Sequence, residues 1–499
     1  MAMTHRVYFL LAGLLALAPV GPLCAQVAPG GSSVVGVGLA LRQADGVKRV
    51  LMVGAHPDDE DTGLLAALAR GMGVETAYLS LTRGDGGQNL IGPELGERLG
   101  IIRTGELEAA RRLDGARQFF TRAYDYGFSK SADEAFSHWP GAEVLRDVVS
   151  VIRTFRPQVI VSVWSGTTRD GHGQHQASGI LTTEAFDAAA DPDRFTDLPG
   201  LASQPWRTDK LYQSVRFRGP TSVEAPVNVP TGTFDPLLGR SLFQLAMESR
   251  SQHRSQGMGA GQGLGERTSG LVLFQSRVDE FPGDDGIFSG VDTTLVGLTE
   301  GLPLEAVGPV RDRLEAYRAA VHDAEASLDA LRPDRAVAPL SRAYRNLEAT
   351  MGLIRDVGDP GAALAEALAI RAALVRSAIL DASSVVVDVR ADDDLVVAGE
   401  DVNLEVQVWN GGPFRIDGVV VRSVGGEPDV ALPAELLEQE AEPVATLLPS
   451  HIGIWFSAVE DDAYLVIAPT PEAAATSIES YREPGVVVGD RLPEPLTAV

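Results

Sequence analysis

Two short segments of this chain concentrate residues that can hold a metal ion and move protons. The first, Ala55-His56-Pro57-Asp58-Asp59-Glu60, follows directly on the apolar run Arg49-Val50-Leu51-Met52-Val53-Gly54. The second, Asp170-Gly171-His172-Gly173-Gln174-His175, follows the apolar run Gln158 to Trp164 through a Gly-containing turn. Pro and acidic residues are also favoured at helix starts, so the first segment alone could be ordinary capping. Two apolar runs that each deliver histidine within a few residues ask for more. The carboxyl ends of strands are where open α/β sheets place their ligand crevice.

Catalytic zinc takes three N or O ligands and keeps one position open for a water, whose pKa falls to about 7. His56, Asp59 and one of the later histidines could form that set. His172 and His175 are three apart, so both can face one pocket while doing different work. One can bind metal, and the other can hydrogen-bond a developing oxyanion or protonate a leaving amine. Asp58, the remaining acidic neighbour, is placed to take a proton from the water.

These two segments together resemble the PIG-L/LmbE superfamily of zinc-dependent de-N-acetylases, over roughly residues 45 to 300. The resemblance implies that His56, Asp59 and His175 hold Zn2+, that Asp58 is the general base, and that His172 is the acid or oxyanion stabiliser. Thr82-Arg83-Gly84-Asp85, the stretch Arg103 to Gly115, and His253-Arg254-Ser255-Gln256 occur in the family's order. By the same analogy Arg103, Asp125 and Tyr126 are candidate substrate contacts. This chain departs from the family at Gln174, where an Asp is usual. A neutral amide there is expected to orient the neighbouring His172 only by hydrogen bonds, leaving the ligand set unchanged.

The elements that would position these residues alternate. Strands are expected at 49–54, 74–81, 158–164 and near Leu211-Val215, and helices at 59–71, 93–115, 142–155 and 175–188. That alternation predicts an α/β fold, a three-layer, mostly parallel Rossmann-like sheet of LmbE type. No G-x-G-x-x-G follows the first strand, so a dinucleotide is not expected. Gly36-Val37-Gly38 reads as a turn. The Gly-rich stretch between Gln252 and Gly270 reads as a surface loop or a loop over the pocket. Apolar spacing of three to four, in Leu314, Tyr317, Val321, Leu364, Leu368, Ile370, Leu374 and Ile379, predicts a helical segment. His322 within it reads as a surface or core residue. Alternation at Val402, Leu404, Val406 and Val408 then predicts a β-sandwich-like C-terminal region. The expected division is a signal peptide at 1–25, a PIG-L/LmbE-like deacetylase domain at 26–300, a helical module at 305–380, and a β-rich region at 381–499 that could be incomplete. Asp392-Asp393-Asp394 reads as solvated surface.

At 499 residues the chain is long enough for two or three domains. Its formal charge of −26 argues against nucleic acid or acidic membrane as partner. The start, with His5-Arg6, an apolar stretch from Val7 to Leu17 and the exit Leu23-Cys24-Ala25, reads as a secretory signal too short to be a membrane span. Cleavage after Ala25 would remove the single cysteine, Cys24, whereas a lipoprotein anchor on Cys24 fits less well because Leu23 is large. The chain is therefore expected to be a secreted or periplasmic zinc hydrolase. It would remove an acyl group, acetyl by preference, from an N-acylated amino sugar or glycoconjugate, with Asp58 activating the metal-bound water. The alternatives are a glycan-binding or cell-surface protein with an idle α/β domain, and a metallopeptidase, although H-E-x-x-H is missing. Trp139 and Trp164 are candidate faces for a sugar ring.

Overall fold

The computed structural model describes residues 34–215, 226–279, 286–358, 361–391 and 403–414, and the strands 419–421, 430–432, 445–446, 453–459 and 462–468. The expected signal segment and Asp392-Asp393-Asp394 lie outside the described residues. Helix α1 (Val34–Ala44) leads into β1 (Arg49–Gly54), α2 (Thr62–Ala66) with a π turn at Ala67–Gly71, and β2 (Glu75–Ser80). There follow α3 (Glu97–Asp114), β3 (Arg117–Phe120), α4 (Ala132–His138), α5 (Gly141–Phe155), β4 (Val159–Ser162) and α6 (Gly173–Ala188). Then come β5 (Lys210–Ser214), β6 (Val227–Pro230), α7 (Leu242–Arg250) and β7 (Thr268–Ser276).

These strands form one mixed sheet of seven in the order β3-β2-β1-β4-β5-β7-β6. The first five are parallel, and β7 and β6 close the edge antiparallel. Both faces of β1 are covered, which is why it reads as a continuous apolar run. Leu51 and Val53 pack with Val148 and Ile152 of α5 and Ala177 of α6, while Val50 and Met52 pack with Leu64 and Leu65 of α2 and Leu107 of α3. The result is the three-layer α/β arrangement anticipated from the alternation.

Four strands and three helices of the α/β half fall within four residues of their expected limits. The differences have physical causes. Gly36-Val37-Gly38 is not a turn but part of α1, whose Val37, Leu41 and Ala44 are buried against helices far along the chain. The helix expected from residue 59 begins at Thr62, capped by Asp61, whose side chain accepts from the Leu64 N–H at 3.0 Å. Strands β3 and β6 are only four residues long, too short for a clear period, and β7 is masked by the Gly-rich stretch before it.

Beyond the sheet lie α8 (Leu304–Ser327), α9 (Val337–Ile354) and α10 (Ala362–Ser383), with Val310, Leu314, Leu340 and Leu368 sharing one core with α1. His322 is exposed beside Asp45. After α10, β8 (Val385–Ala391) and β9 (Asn403–Asn410) pair antiparallel, and four further strands form a second small sheet. Among the described residues no helix is long and apolar enough to cross a membrane.

The helical layer is tied to the starts of the central strands by buried charge. Arg371 of α10 donates to the Gly46 carbonyl from Nε at 3.0 Å and Nη2 at 2.6 Å, and Nη2 lies 2.8 Å from Glu75 at the start of β2. Arg49 reaches Glu75 from the other side at 3.2 Å. Removing one member of a buried pair leaves an uncompensated charge. Arg371→Met should therefore lower the stability by about 3 kcal/mol, measured by urea unfolding; a loss well under 1 kcal/mol would show that the junction does not depend on this contact.

Candidate metal centre and active site

The sheet order turns back between β1 and β4: the chain runs outward from β1 to β2 and β3, then returns to place β4 on the other side of β1. Their carboxyl ends therefore diverge into a crevice. His56 to Asp61 line it from β1, and Trp164 to His175 line it from β4. The ligand atoms of His56, Asp59 and His175 all lie within 4.8 Å of one another. Tetrahedral zinc with bonds of about 2.0–2.1 Å needs separations of about 3.4 Å, so a small inward movement would complete the set.

Neighbouring groups decide which atom each ligand offers. Asp59 Oδ2 accepts from the Ala55 and His56 N–H groups, both at 2.9 Å, and from Trp164 Nε1 at 2.8 Å. That leaves Oδ1, which lies 3.7 Å from His175 Nε2. His175 Nδ1 faces the Asp170 carbonyl at 3.3 Å, so Nδ1 carries the proton and Nε2 is bare. The Gln174 amide nitrogen donates to Gly127 O at 2.9 Å and Asp125 Oδ1 at 3.3 Å, which turns its oxygen to His56 Nε2 at 2.9 Å. His56 thus holds a proton on Nε2 and has Nδ1 available. Each proposed ligand has an outer partner, the arrangement that fixes tautomer and ring orientation at metal sites.

Asp58 and His172 flank this set. Arg103 Nη2 donates to Asp58 Oδ2 at 3.0 Å. Burial pushes the Asp58 carboxyl up to about 6, against the pull of the Arg103 charge. The His172 ring stacks on His56 with centroids 5.2 Å apart. Its Nδ1 accepts from the Gln174 N–H at 3.3 Å and faces the Ser129 hydroxyl at 3.1 Å, so Nε2 carries the hydrogen. Burial and the neighbouring His56 and His175 lower its pKa to about 4, leaving it a neutral N–H donor at pH 7.

Residues 51–186, which span both clusters, match the PIG-L family, described as GlcNAc-PI de-N-acetylase. The segment that holds both clusters is thus similar to the PIG-L family. The 1D-myo-inositol 2-acetamido-2-deoxy-alpha-D-glucopyranoside deacetylase of Geodermatophilus obscurus is 33% identical over 183 residues, covering 33% of this chain and 60% of that protein. The enzyme of the same name from Thermobispora bispora is 32% identical over 189 residues, covering 34% and 60%. The chain thus spans about 60% of the length of these relatives. Among solved structures, N,N'-diacetylchitobiose deacetylase from Pyrococcus horikoshii aligns at 19% identity and a TM-score of 0.33, over 46% of this chain and 84% of that one.

Within the matched segment the remaining expected residues take differing positions. Arg103 is buried, with its guanidinium given to Asp58, Pro57 O and Gly84 O. Gly84 has φ of +72°, and a Cβ there would collide with that guanidinium. Asp125 is buried and meets the site through Gln174, and Tyr126 stacks on His138 with centroids 4.0 Å apart. Gln174 is the clearest difference from expectation: its side chain orients His56, and only its backbone N–H meets His172. Neither tryptophan offers a face to solvent. Trp139 is 1% exposed in the core, with Nε1 on Tyr124 O, and Trp164 stacks on His175 at 3.6 Å and 8°. The sequence reading missed Phe128, which is 73% exposed with its ring 5.2 Å from His172. Its only signal was proximity to Asp125 and Tyr126.

The electrostatics of these groups would make the binding of a cation here pH-dependent. Burial opposes a proton on His56, yet the carboxylates of Asp59 and Asp125 prevail and raise its pKa to about 9. Asp59 is held well below the carboxylate range despite burial, by His175 and His56, and His175 is lowered by burial. At neutral pH a cation must therefore displace one proton, from His56. Zinc affinity should rise about tenfold per pH unit between pH 6 and 8, with about one proton released in calorimetry across buffers of different ionisation enthalpy. Affinity independent of pH would remove His56 from the ligand set.

Proposed function

We propose that this protein is a zinc-dependent N-deacetylase, secreted or periplasmic, acting on an N-acetylated amino sugar or glycoconjugate. The observation that carries this reading is the convergence of His56, Asp59 and His175 with Asp58 and His172 at the β1–β4 crevice. The curated relatives named above, deacetylases of an N-acetylated aminoglycoside of inositol, support the substrate class. Zinc held by His56, Asp59 and His175 would supply Lewis acidity toward a water and the amide carbonyl.

The residues of the chain divide the rest of the work. Asp58 accepts a proton from the attacking water as the new C–O bond forms, and returns it to the amine as the C–N bond breaks. A carboxyl raised to about 6 suits both transfers near neutral pH. His172 donates its Nε2–H to the oxyanion that develops on the carbonyl, a neutral donor that costs no proton exchange. Phe128 supplies the apolar face for the sugar ring that the buried tryptophans do not, and Asp125 and Tyr126 lie beside it on the same turn. The products are acetate and the free amino sugar. Residues 1–25 direct export and are removed, and the C-terminal strands build a β-sandwich-like module.

Acetate release from a panel of N-acetylated amino sugars and small glycosides by the zinc-loaded protein tests the activity. Asp58→Asn should keep its zinc and lose on the order of a hundredfold or more in kcat. Arg103→Met should move the acid limb of the pH–rate profile to higher pH, because the lost positive charge no longer favours the ionised, active Asp58. A raised KM with an unmoved limb would instead make Arg103 a substrate contact. No acetate from any member of the panel, or full activity in Asp58→Asn, sinks the assignment.

Export has its own readout. The exported protein should begin at Gln26 on N-terminal sequencing. Retention of residues 1–25, or lipid on Cys24, would overturn that part.

A further inference from the structure

Asp58 has a backbone φ of +91°, a conformation that residues other than glycine seldom adopt. Such strain persists only where the surroundings over-determine it. Here the backbone N–H and carbonyl of the residue and the carbonyl before it are all held. The Asp58 N–H donates to Glu60 Oε2 at 2.9 Å, and its carbonyl accepts from Arg250 Nη1 at 3.3 Å. The preceding Pro57 carbonyl accepts from Arg103 Nη2 at 2.5 Å.

Glu60 is itself clamped from behind. Its Oε1 accepts from Arg111 Nη2 at 3.0 Å and lies 2.9 Å from His253 Nε2, and the Glu60 and His253 side chains have no solvent exposure. Arg111 is tethered in turn to Asp114, which also accepts from the Ser249 hydroxyl at 2.7 Å. Ser249 and Arg250 end α7, and His253 follows three residues later. One short segment, about 190 residues along the chain from Asp58, therefore supports it twice: directly through Arg250, and through Glu60 by way of His253.

We propose that Arg250 and His253 are positioning residues that hold Asp58 in its strained backbone conformation and so aim its carboxylate. This rests on the reading of Asp58 as the base. Neither residue is among the three proposed zinc ligands, so their effect should fall on turnover while zinc and substrate binding are kept.

His253→Leu should bind one zinc per chain with an unchanged KM and lose at least tenfold in kcat. His253→Gln, whose amide can donate to Glu60 from nearly the same place, should recover most of that loss. Arg250→Met, at a half-buried position, should show a severalfold loss with the same split between kcat and KM. A stability measurement reads the clamp without turnover. Asp58→Gly should melt higher than Asp58→Ala, since glycine accepts positive φ freely, and this gap should close in the His253→Leu background, where the backbone is released. If His253→Leu does not fold, the Arg250→Met background carries the same comparison, and the gap should narrow there. A gap that persists in the clamp variant overturns the proposal, as does a raised KM, loss of zinc, or a kcat loss that His253→Gln does not relieve. If the parent protein releases no acetate, the deacetylase reading falls while the stability gap still decides the clamp.

Discussion

Four consecutive carboxyl groups, Asp58 to Asp61, follow the end of β1, and the protein has to place all four close together with little water. Charges taken out of water are tolerated only with opposite charges or full hydrogen bonding. Each of the four has a different solution. Asp61 caps α2, Glu60 is neutralised by Arg111 beside His253, Asp59 accepts two backbone N–H groups and an indole, and Asp58 pairs with Arg103. These partners come from α2, α3, the strand-end loops and the residues after α7. Much of the layer that covers this side of the sheet is thereby enlisted in holding residues 55–61.

That arrangement explains why adjacent, chemically similar residues can be given separate tasks. Asp59 is buried among donors and stays ionised, which suits a ligand. Asp58 is buried with one opposing cation and is raised, which suits a group that must take and return a proton. The histidines divide in the same manner. His175 and His56 each have one nitrogen engaged by an outer oxygen and the other left toward Asp59, while His172 has its Nδ1 covered by the Ser129 hydroxyl and by the Gln174 N–H at the start of α6.

Gln174 shows how far neighbours in sequence can differ from neighbours in space. It lies between His172 and His175, and adjacency suggested an influence on His172. Helix geometry turns its side chain inward across the crevice to His56, 118 residues earlier, with Asp125 and Gly127 holding the far end of the amide. The same amide in a different rotamer would have served another residue, so only packing assigns it.

The sequence by itself determined the parts whose signal is local. The apolar runs of β1 and β4, the helix periods of α3, α5 and α6, and the candidate ligand types at two strand ends all follow from residue order, because backbone propensity and side-chain period act over a few residues. What the tertiary structure decided depends on contacts across long separations: the place of α1 in the helical layer, the burial of Trp139 and Trp164, the exposed ring of Phe128, and the support of Asp58 from the end of α7. Those outcomes rest on which surfaces meet when the layers close. A buried charge is satisfied by whichever partner the fold brings within about 3 Å, and that distance has no counterpart in the order of the residues.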